Sequence, residues 1–185
     1  DYNLGVKLDD GARVDADFVV MSVDVRPNSE WARAAGLDIG ERGGILVDDH
    51  MRTSDASIYA VGDVVAVKHI VTGEEAMIPL AGPANRQGRI AAINACGGDA
   101  VYPGSLGTSV VKVGRLTAGS AGLTEARLKA GGKTFRKIYL HSASHASYYP
   151  GAEPIAMKLL FDDDGQILGV QAVGADGVDK RVDVV

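Results

Sequence analysis

A short apolar run that ends in Gly-Asp is the feature that most constrains the fold of this chain. Residues 58–61 read Ile-Tyr-Ala-Val, which is typical of a short buried strand, and Gly62 and Asp63 follow directly. Glycine lacks a Cβ and lets a ligand approach the backbone closely. We expect the Asp63 carboxylate to emerge at the carboxyl end of a sheet, where open α/β sheets bind ligands, and to accept a hydrogen bond from a sugar-like hydroxyl. For the dipeptide alone, a simple turn is the better explanation.

A second motif follows about 16 residues later. Residues 78–89 read Ile-Pro-Leu-Ala-Gly-Pro-Ala-Asn-Arg-Gln-Gly-Arg, in which small residues precede a predicted helix. Such a helix start leaves backbone N–H groups and a positive helix end pointing outward, which suits an electron-rich ring edge. Close packing of the helix through its small residues is the alternative explanation, and packing contributes in either case.

The third motif is a predicted loop at residues 144–152, Ser-His-Ala-Ser-Tyr-Tyr-Pro-Gly-Ala. A purely structural loop with a packed tyrosine pair and a functional loop are equally compatible with these residue types. His141 and His145 are four residues apart, but that spacing builds no metal site away from a helix, and no third ligand is nearby. We therefore expect no metal.

The elements before residue 104 are mixed strands and helices. We predict first a hairpin over residues 4–23, with its turn at Asp9-Asp10-Gly11 and a buried apolar run at 18–21. A helix is predicted next over 29–35, with Ser29 as N-cap and Gly36 as its stop. Strands over 45–47 and 58–61 follow, and then a helix over 83–96 that is closed by Gly97-Gly98.

The pattern changes after Tyr102-Pro103-Gly104. In order, we predict a strand over residues 108–113, a helix over 124–130 capped by Thr124, strands over 135–140, 155–161 and 167–173 with a hairpin turn at 162–165, and a helix at the end of the chain. Grouped antiparallel strands with few helices indicate an α+β domain, so a boundary is expected near residues 100–106.

These segments together resemble the pyridine nucleotide–disulfide oxidoreductase family, with coenzyme A-disulfide reductases and NADH oxidases as the closest types. Residues 53–63 match its second flavin-binding motif, T-S-x-x-x-I-Y-A-x-G-D. Residues 79–89 resemble P-L-A-G-P-A-N-x-Q-G-R, the segment under the isoalloxazine ring. Residues 145–152 resemble H-A-x-Y-Y-P-G-A of the dimerisation domain, a loop that reaches into the partner's active site.

The resemblance implies roles for eight residues, which we carry over one by one. Gly62 and Asp63 bind the cofactor, with Asp63 on the ribityl chain of FAD; Leu80 and Ala81 contact the flavin; Asn85 and His145 contact a coenzyme A-type substrate; and Tyr149, with Tyr148 as the other candidate, is catalytic in the flavin–sulfur region.

The implied fold is an α/β FAD/NAD(P)-binding, Rossmann-like half domain followed by an α+β dimerisation domain with an antiparallel sheet. We expect residues 1–25 to end an NAD(P)-binding domain, residues 26–104 to form the second half of an FAD-binding domain, and residues 105–185 to form a dimerisation domain cut at its carboxyl end. A homodimer is expected through residues 107–185.

The implied activity is electron transfer from NAD(P)H through FAD to a coenzyme A disulfide or persulfide. An NADH oxidase or peroxidase, or a flavin-free dimerisation module, are the alternatives. No G-x-G-x-x-G, redox-cysteine motif or second glycine-rich loop occurs, so we expect a fragment that is inactive alone. Relatives usually carry Gly at the position of Asp24, so no NAD contact is assigned there.

Composition excludes several other classes. A net charge of −5 without a Lys/Arg cluster disfavours nucleic-acid and membrane partners, and the apolar runs fall far short of the about 20 residues that a membrane span needs. The single cysteine, Cys96, fits a reducing cytoplasm and is expected to be a packed structural thiol. Residues 162–165 do not fit an EF-hand, and residues 179–181 are expected to form salt bridges at a dimer interface.

Overall fold

The computed structural model describes residues 4–22 and 25–185. Its strands are β1 (Leu4–Lys7), β2 (Arg13–Ala16), β3 (Ile45–Leu46), β4 (Val65–Lys68), β5 (Glu75–Met77), β6 (Ser109–Val113), β7 (Leu116–Gly122), β8 (Arg136–Ala143), β9 (Pro154–Phe161) and β10 (Ile167–Gly174). Its helices are α1 (Glu30–Ala34), α2 (Ala81–Ala95), α3 (Glu125–Ala130) and α4 (Val178–Val184).

The first two strands confirm the predicted hairpin but not its buried end. β1 and β2 are antiparallel, and Gly11 adopts a φ of 86° in the turn, a conformation that favours glycine. The strand ends at Ala16, and Phe18 in the following apolar run is 76% exposed, so the prediction of a buried strand at residues 18–21 is wrong. Among the described residues no strand pairs with this run. Residue 23, the predicted end of the hairpin, and Asp24 lie outside the described residues.

A three-stranded sheet with the order β3-β4-β5 lies at the centre of the first half. β3 runs parallel to β4, and β5 is antiparallel to β4. The predicted strand at residues 58–61 is wrong, because only Tyr59 makes an isolated bridge, to Arg52. Gly62, with a φ of 86°, interrupts the extended backbone, and pairing with β3 begins only at Val65. Gly-Asp therefore precedes β4 rather than ending a strand.

Helix α1 confirms the predicted helix near residues 29–35, although Ser29 does not cap it with its side chain. The Ser29 hydroxyl instead donates a hydrogen bond to the Gly43 carbonyl at 2.6 Å, which ties the helix start to the loop before β3. Gly36, with a φ of 83°, ends the helix in the left-handed conformation, as predicted.

Helix α2 begins at Ala81, two residues before its predicted start, and Pro83 lies in its first turn. Asn94, which is buried near its last turn, donates to the His50 and Ala100 carbonyls and accepts from the Ala100 amide. Cys96 at the C-cap is exposed, so the prediction of a packed thiol is wrong: the side chain leaves the helix at its solvent-facing end.

The second half is built on a five-stranded antiparallel sheet with the order β6-β7-β10-β9-β8. The predicted strands near 108–113, 135–140, 155–161 and 167–173 and the helix capped by Thr124 are confirmed. β7 was not predicted, because its sequence, Leu-Thr-Ala-Gly-Ser-Ala-Gly, lacks β-branched apolar residues. A Cβ on Gly119 would lie 3.0 Å from Val182 and 3.2 Å from Val178, so small residues here admit helix α4 onto the sheet.

The buried apolar residues form separate cores in the two halves. One core lies around β3, β4 and α2 and includes Ile45, Val65 and Ile90. Two others lie within residues 121–182, one of them under α4 and one under α3. The turn at residues 162–165 joins β9 to β10 as predicted, with Gly165 at a φ of 84°. Among the helices described, none is long and apolar enough to cross a membrane.

Candidate functional site

The Gly62-Asp63 turn is held against helix α2. The Gly62 amide donates to Oε1 of Gln87 at 2.8 Å, and Gln87 is 1% exposed. The φ of 86° at Gly62 requires glycine, and a Cβ there would lie 3.9 Å from Cβ of Ala84. Because Gln87 is buried, leaving its side-chain oxygen without a hydrogen bond would cost free energy. The hydrogen bond from the Gly62 amide therefore fixes the turn. The turn therefore has one position relative to the start of α2.

Asp63 is exposed beside this fixed turn. In the part of the chain that the structure describes, its carboxylate has neither a hydrogen bond nor an ion pair. A free carboxylate on a rigid turn is an acceptor for two or more hydroxyl groups of a ligand.

The first turn of α2 offers donors and little side-chain bulk. Leu80 is the N-cap and half-buried, and its carbonyl accepts the Ala84 amide at 3.1 Å. Ala81 is exposed, and no atom lies within 4 Å of a Cβ built on Gly82. The first amides of a helix have no acceptor within it and lie at its positive end. A flat, electron-rich group can approach this surface closely.

Gln87 is the residue that the sequence analysis missed. It lies on the same face of α2 as the buried residues Ile90, Ala91 and Asn94. A polar residue at helical spacing with buried apolar ones signals a buried hydrogen bond, and that signal was available in the sequence. Asn85 lies on the exposed surface of the same helix, and no hydrogen bond of its side chain occurs among the described residues.

The loop between β8 and β9 carries the other three predicted residues. The rings of His145 and Tyr149 meet edge to face with centroids 6.4 Å apart, and those of Tyr148 and Tyr149 are 4.9 Å apart. Tyr148 is 82% exposed and Tyr149 is 60% exposed. The three rings thus form one aromatic group on the surface. We call the loop between β8 and β9 that carries them the aromatic loop.

Both ends of the aromatic loop are fixed. The Ser144 amide donates to the Glu153 carbonyl at 2.8 Å, and Arg181 of α4 donates to the Ser144 carbonyl at 3.1 Å. Within the described residues, no hydrogen bond or ring contact joins this loop to the Gly62 turn or to the start of α2. The structure thus brings together Gly62, Asp63, Leu80 and Ala81 in one place, and His145, Tyr148 and Tyr149 in another.

Asp48, Asp49 and His50 lie close enough together to hold a metal ion. Both ring nitrogens of His50 already meet carboxylates, Asp49 at 2.6 Å and Asp99 at 2.9 Å. These hydrogen bonds, Asp49 first, raise the pKa of His50 above its usual value. A doubly hydrogen-bonded imidazolium between two carboxylates accounts for this cluster without a metal.

Comparison with known proteins identifies related sequences across nearly the whole chain. The family described as pyridine nucleotide-disulphide oxidoreductase matches residues 1–93, and its dimerisation domain matches residues 108–185. A CoA-dependent NAD(P)H sulfur oxidoreductase of Pyrococcus abyssi is 39% identical over 168 residues. A coenzyme A disulfide reductase of Staphylococcus aureus is 33% identical over 171 residues.

Structural similarity extends just as far. The crystal structure of reduced Bacillus anthracis CoADR-RHD matches 97% of this chain with a TM-score of 0.92 and 47% identity. The two relatives match 90% and 91% of this chain. The chain in turn spans only 38% and 39% of those relatives and 33% of the solved structure.

Proposed function

Because this chain belongs to the pyridine nucleotide-disulphide oxidoreductase family, we propose that it is the carboxyl-terminal part of an FAD-dependent reductase of coenzyme A disulfides or persulfides that draws electrons from NAD(P)H. The family match confirms the expected nucleotide-binding half domain followed by a dimerisation domain. The observation that carries the proposal is the hydrogen bond from Gly62 to buried Gln87, which fixes Asp63 beside the start of α2.

The residues present fit one side of an FAD site. Because Gly62 has no side chain, a ligand can approach the turn closely. Asp63 offers an acceptor for ribityl hydroxyls. The open surface at Gly82 and the exposed Ala81 can face a flat ring. Bound FAD would supply hydride acceptance from NAD(P)H and electron transfer toward sulfur.

Each of these residues contributes binding and orientation. Asp63 holds a hydroxyl, and Leu80 and Ala81 form the apolar surface beneath the ring. The positive end of α2 favours negative charge at the ring edge that faces it. Gln87 acts indirectly, by fixing the backbone that carries Asp63.

On the substrate side, we assign contacts with a coenzyme A-type molecule to Asn85 and His145, and the catalytic hydroxyl to Tyr149 with Tyr148 as the alternative. The exposure of Asn85 and of all three loop rings supports this assignment, because these side chains are free to meet a substrate. In a homodimer, the aromatic loop of one protomer would serve the site at α2 of its partner, so the loop and α2 of a single chain need not be in contact.

A homodimer through residues 107–185 is supported by exposed apolar residues on the edge strands of the large sheet. Val111 is 57% exposed, Val113 71% and Tyr139 58%. β6 and β8 are opposite edges of the sheet, and the exposed side chains of Val111 and Val113 lie on one face of β6, an exposed apolar surface typical of an interaction site. We retain the proposed division at residues 25 and 104, which places the separate cores of the two halves in different domains.

Flavin retention by the full-length protein tests this proposal. Asp63→Ala removes an acceptor from a buried ligand hydroxyl, a loss of about 1–3 kcal/mol, or roughly 5- to 150-fold in flavin affinity. The measurement is the flavin absorbance that remains after extensive dilution and desalting. Asp164→Ala, which removes an exposed carboxylate in the β9–β10 turn, is the matched control and is expected to retain flavin.

Two results would count against the proposal. Equal retention by Asp63→Ala and the control would reduce Asp63 to a turn residue. A colourless full-length protein that still dimerises would favour the flavin-free association module. Residues 1–185 expressed alone are expected to hold FAD weakly or not at all, because no pyrophosphate-binding glycine motif occurs in them.

A further inference from the structure

A cavity of about 310 Å³ lies between the β4–β5 turn and helix α3. It shares no lining residue with the Gly62 turn, the start of α2 or the aromatic loop. Its polar lining comes from both halves of the chain: His69, Thr72 and Glu74 from the turn, and Arg127 and Lys133 from α3 and the residues after it. Its apolar wall is formed by Leu123 and Leu128. The volume lies at the lower end of the range for small-molecule sites.

His69 presents a defined donor to this cavity. It is 5% exposed, and its Nδ1 accepts the Val71 amide at 3.2 Å. A backbone amide can only donate, so a neutral ring must carry its proton on Nε2. In the described part of the chain Nε2 has no hydrogen-bond partner, and His69 is one of the residues that line the cavity.

Backbone hydrogen bonds close the turn that carries His69. The His69 amide donates to the Glu74 carbonyl at 2.8 Å, and the Gly73 amide donates to the His69 carbonyl at 2.8 Å. The buried ring therefore belongs to a closed, hydrogen-bonded turn. Burial, followed by the positive charge of Arg127, lowers the pKa of His69; Glu74 opposes this shift, and Lys133 adds to it. At neutral pH the ring stays neutral and Nε2 remains a donor.

Cations outnumber carboxylates around the cavity. Arg42, Arg127 and Lys133 line it against two carboxylates, Glu74 and Glu75, which leaves one excess positive charge. Among the described residues, none of the three cations forms a salt bridge. Glu75 lies with its carboxylate against Gly40, which does not line the cavity.

We propose that this cavity binds a small organic oxyanion. Its phosphate or carboxylate group accepts from Nε2 of His69 and from Arg127 and Lys133, while its carbon part packs on Leu123 and Leu128. Arginine and lysine form the stronger, charge-assisted hydrogen bonds to such a group, and the neutral imidazole adds direction. Since the ligand contacts both halves of the chain, its binding stabilises their association.

Thermal unfolding of the full-length protein tests this inference. Glycerol 3-phosphate and glutarate are the two probes, and sodium chloride is adjusted to hold ionic strength constant. We expect the unfolding midpoint to rise saturably with at least one probe, and the more effective probe identifies the oxyanion. Arg127→Gln is expected to weaken apparent affinity about tenfold. Arg33→Gln, an exposed arginine on α1, is the control and should leave the affinity unchanged.

His69→Asn provides the sharper variant. Its amide oxygen can still accept the Val71 amide, but the donor that faces the cavity is lost, so the probe affinity should fall while the midpoint without probe changes little. If that variant does not fold, the Arg127→Gln comparison decides alone. The inference is overturned if neither probe gives a saturable shift, or if Arg127→Gln and Arg33→Gln respond alike. Flavin content is measured in parallel. A protein without flavin would count against the proposed function, but the response of the unfolding midpoint to the probes would still decide this inference.

Discussion

Gln87 lies at 1% exposure inside α2 and holds the Gly62 amide through its side-chain oxygen. Neither residue touches a substrate in the proposed mechanism, yet the position of the Asp63 carboxylate depends on both. The residue that shapes the site is thus a buried neighbour rather than the exposed acid itself.

Gln87→Leu tests this dependence. Leucine keeps most of the volume but leaves the Gly62 amide without its acceptor, which costs about 1–3 kcal/mol in the free energy of unfolding. Denaturant unfolding of the full-length protein measures the loss, and flavin affinity should fall with it. Arg89→Leu changes an exposed residue of the same helix and should leave both quantities nearly unchanged. Unaltered flavin affinity in Gln87→Leu would show that the turn is fixed by other contacts.

The eight site residues named from the sequence stay a prediction, and the local structure predicted around two of them is wrong. Residues 62 and 63 were placed at the carboxyl end of a strand, whereas they form the turn before β4. An apolar run such as Ile-Tyr-Ala-Val favours a strand locally, but a strand also needs a pairing partner, and the described residues offer Tyr59 only one bridge. Pairing is a property of the tertiary structure, so the pattern alone could not decide it.

At the scale of elements, Glu125 joins three parts of the second half. Its carboxylate, at the start of α3, forms ion pairs with Lys129 of the same helix at 2.8 Å and with Lys137 of β8 at 2.9 Å, and it also pairs with Lys158 of β9. Hydrogen bonds from these lysines, Lys129 first, hold the pKa of Glu125 far below its usual value. One side chain thereby connects α3 to two neighbouring strands.

Glu125→Gln should destabilise the full-length protein in a pH-dependent way. Because the pKa of Glu125 is lowered on folding, its contribution is fully present above the unfolded pKa near 4.5 and is lost as the pH falls toward the folded value. The wild type should therefore unfold at a higher temperature than the variant at neutral pH, and the difference should shrink on acidification. Glu41→Gln, an exposed residue outside the cluster, is the control. A difference that does not vary with pH would contradict the ion-pair explanation.

The elements themselves were predicted where local patterns were strong. α2, α3 and β8 to β10 were found from their caps, glycine stops and apolar periodicity. β7 is not predicted because its alanines, glycines and serine have low strand propensity, and the structure explains Gly119, where helix α4 packs closely on the strand. The apolar run at residues 18–21 predicts a buried strand, but burial also requires neighbouring strands, and this run is exposed.

At the scale of the whole molecule, the account depends on a homodimer in which the aromatic loop acts on the partner's site. The loop has fixed ends and an exposed ring group, and among the described residues no hydrogen bond or ring contact joins it to α2. An isologous interface would place two copies of it by one symmetry operation.

Tyr149→Phe tests this arrangement. The variant should lose reduction of the sulfur substrate while flavin reduction by NAD(P)H remains, because only the second half-reaction uses the hydroxyl. Rapid-mixing absorbance separates the two steps. A heterodimer of Tyr149→Phe with a redox-cysteine variant should recover about half of the wild-type activity, since one of its two sites is intact. No recovery, or a monomer at micromolar concentration, would contradict a loop that acts in trans.

The central claim is that the full-length protein reduces a coenzyme A-type disulfide or persulfide with electrons from NAD(P)H. The most direct measurement is NAD(P)H oxidation by the purified full-length protein without oxygen, with coenzyme A disulfide or coenzyme A persulfide as the acceptor. We expect turnover that depends on the acceptor, with each NAD(P)H consumed yielding two coenzyme A thiols from the disulfide, or one coenzyme A thiol and one hydrogen sulfide from the persulfide. Turnover only when oxygen or peroxide is supplied, or no NAD(P)H oxidation with a flavin-loaded protein, would contradict it.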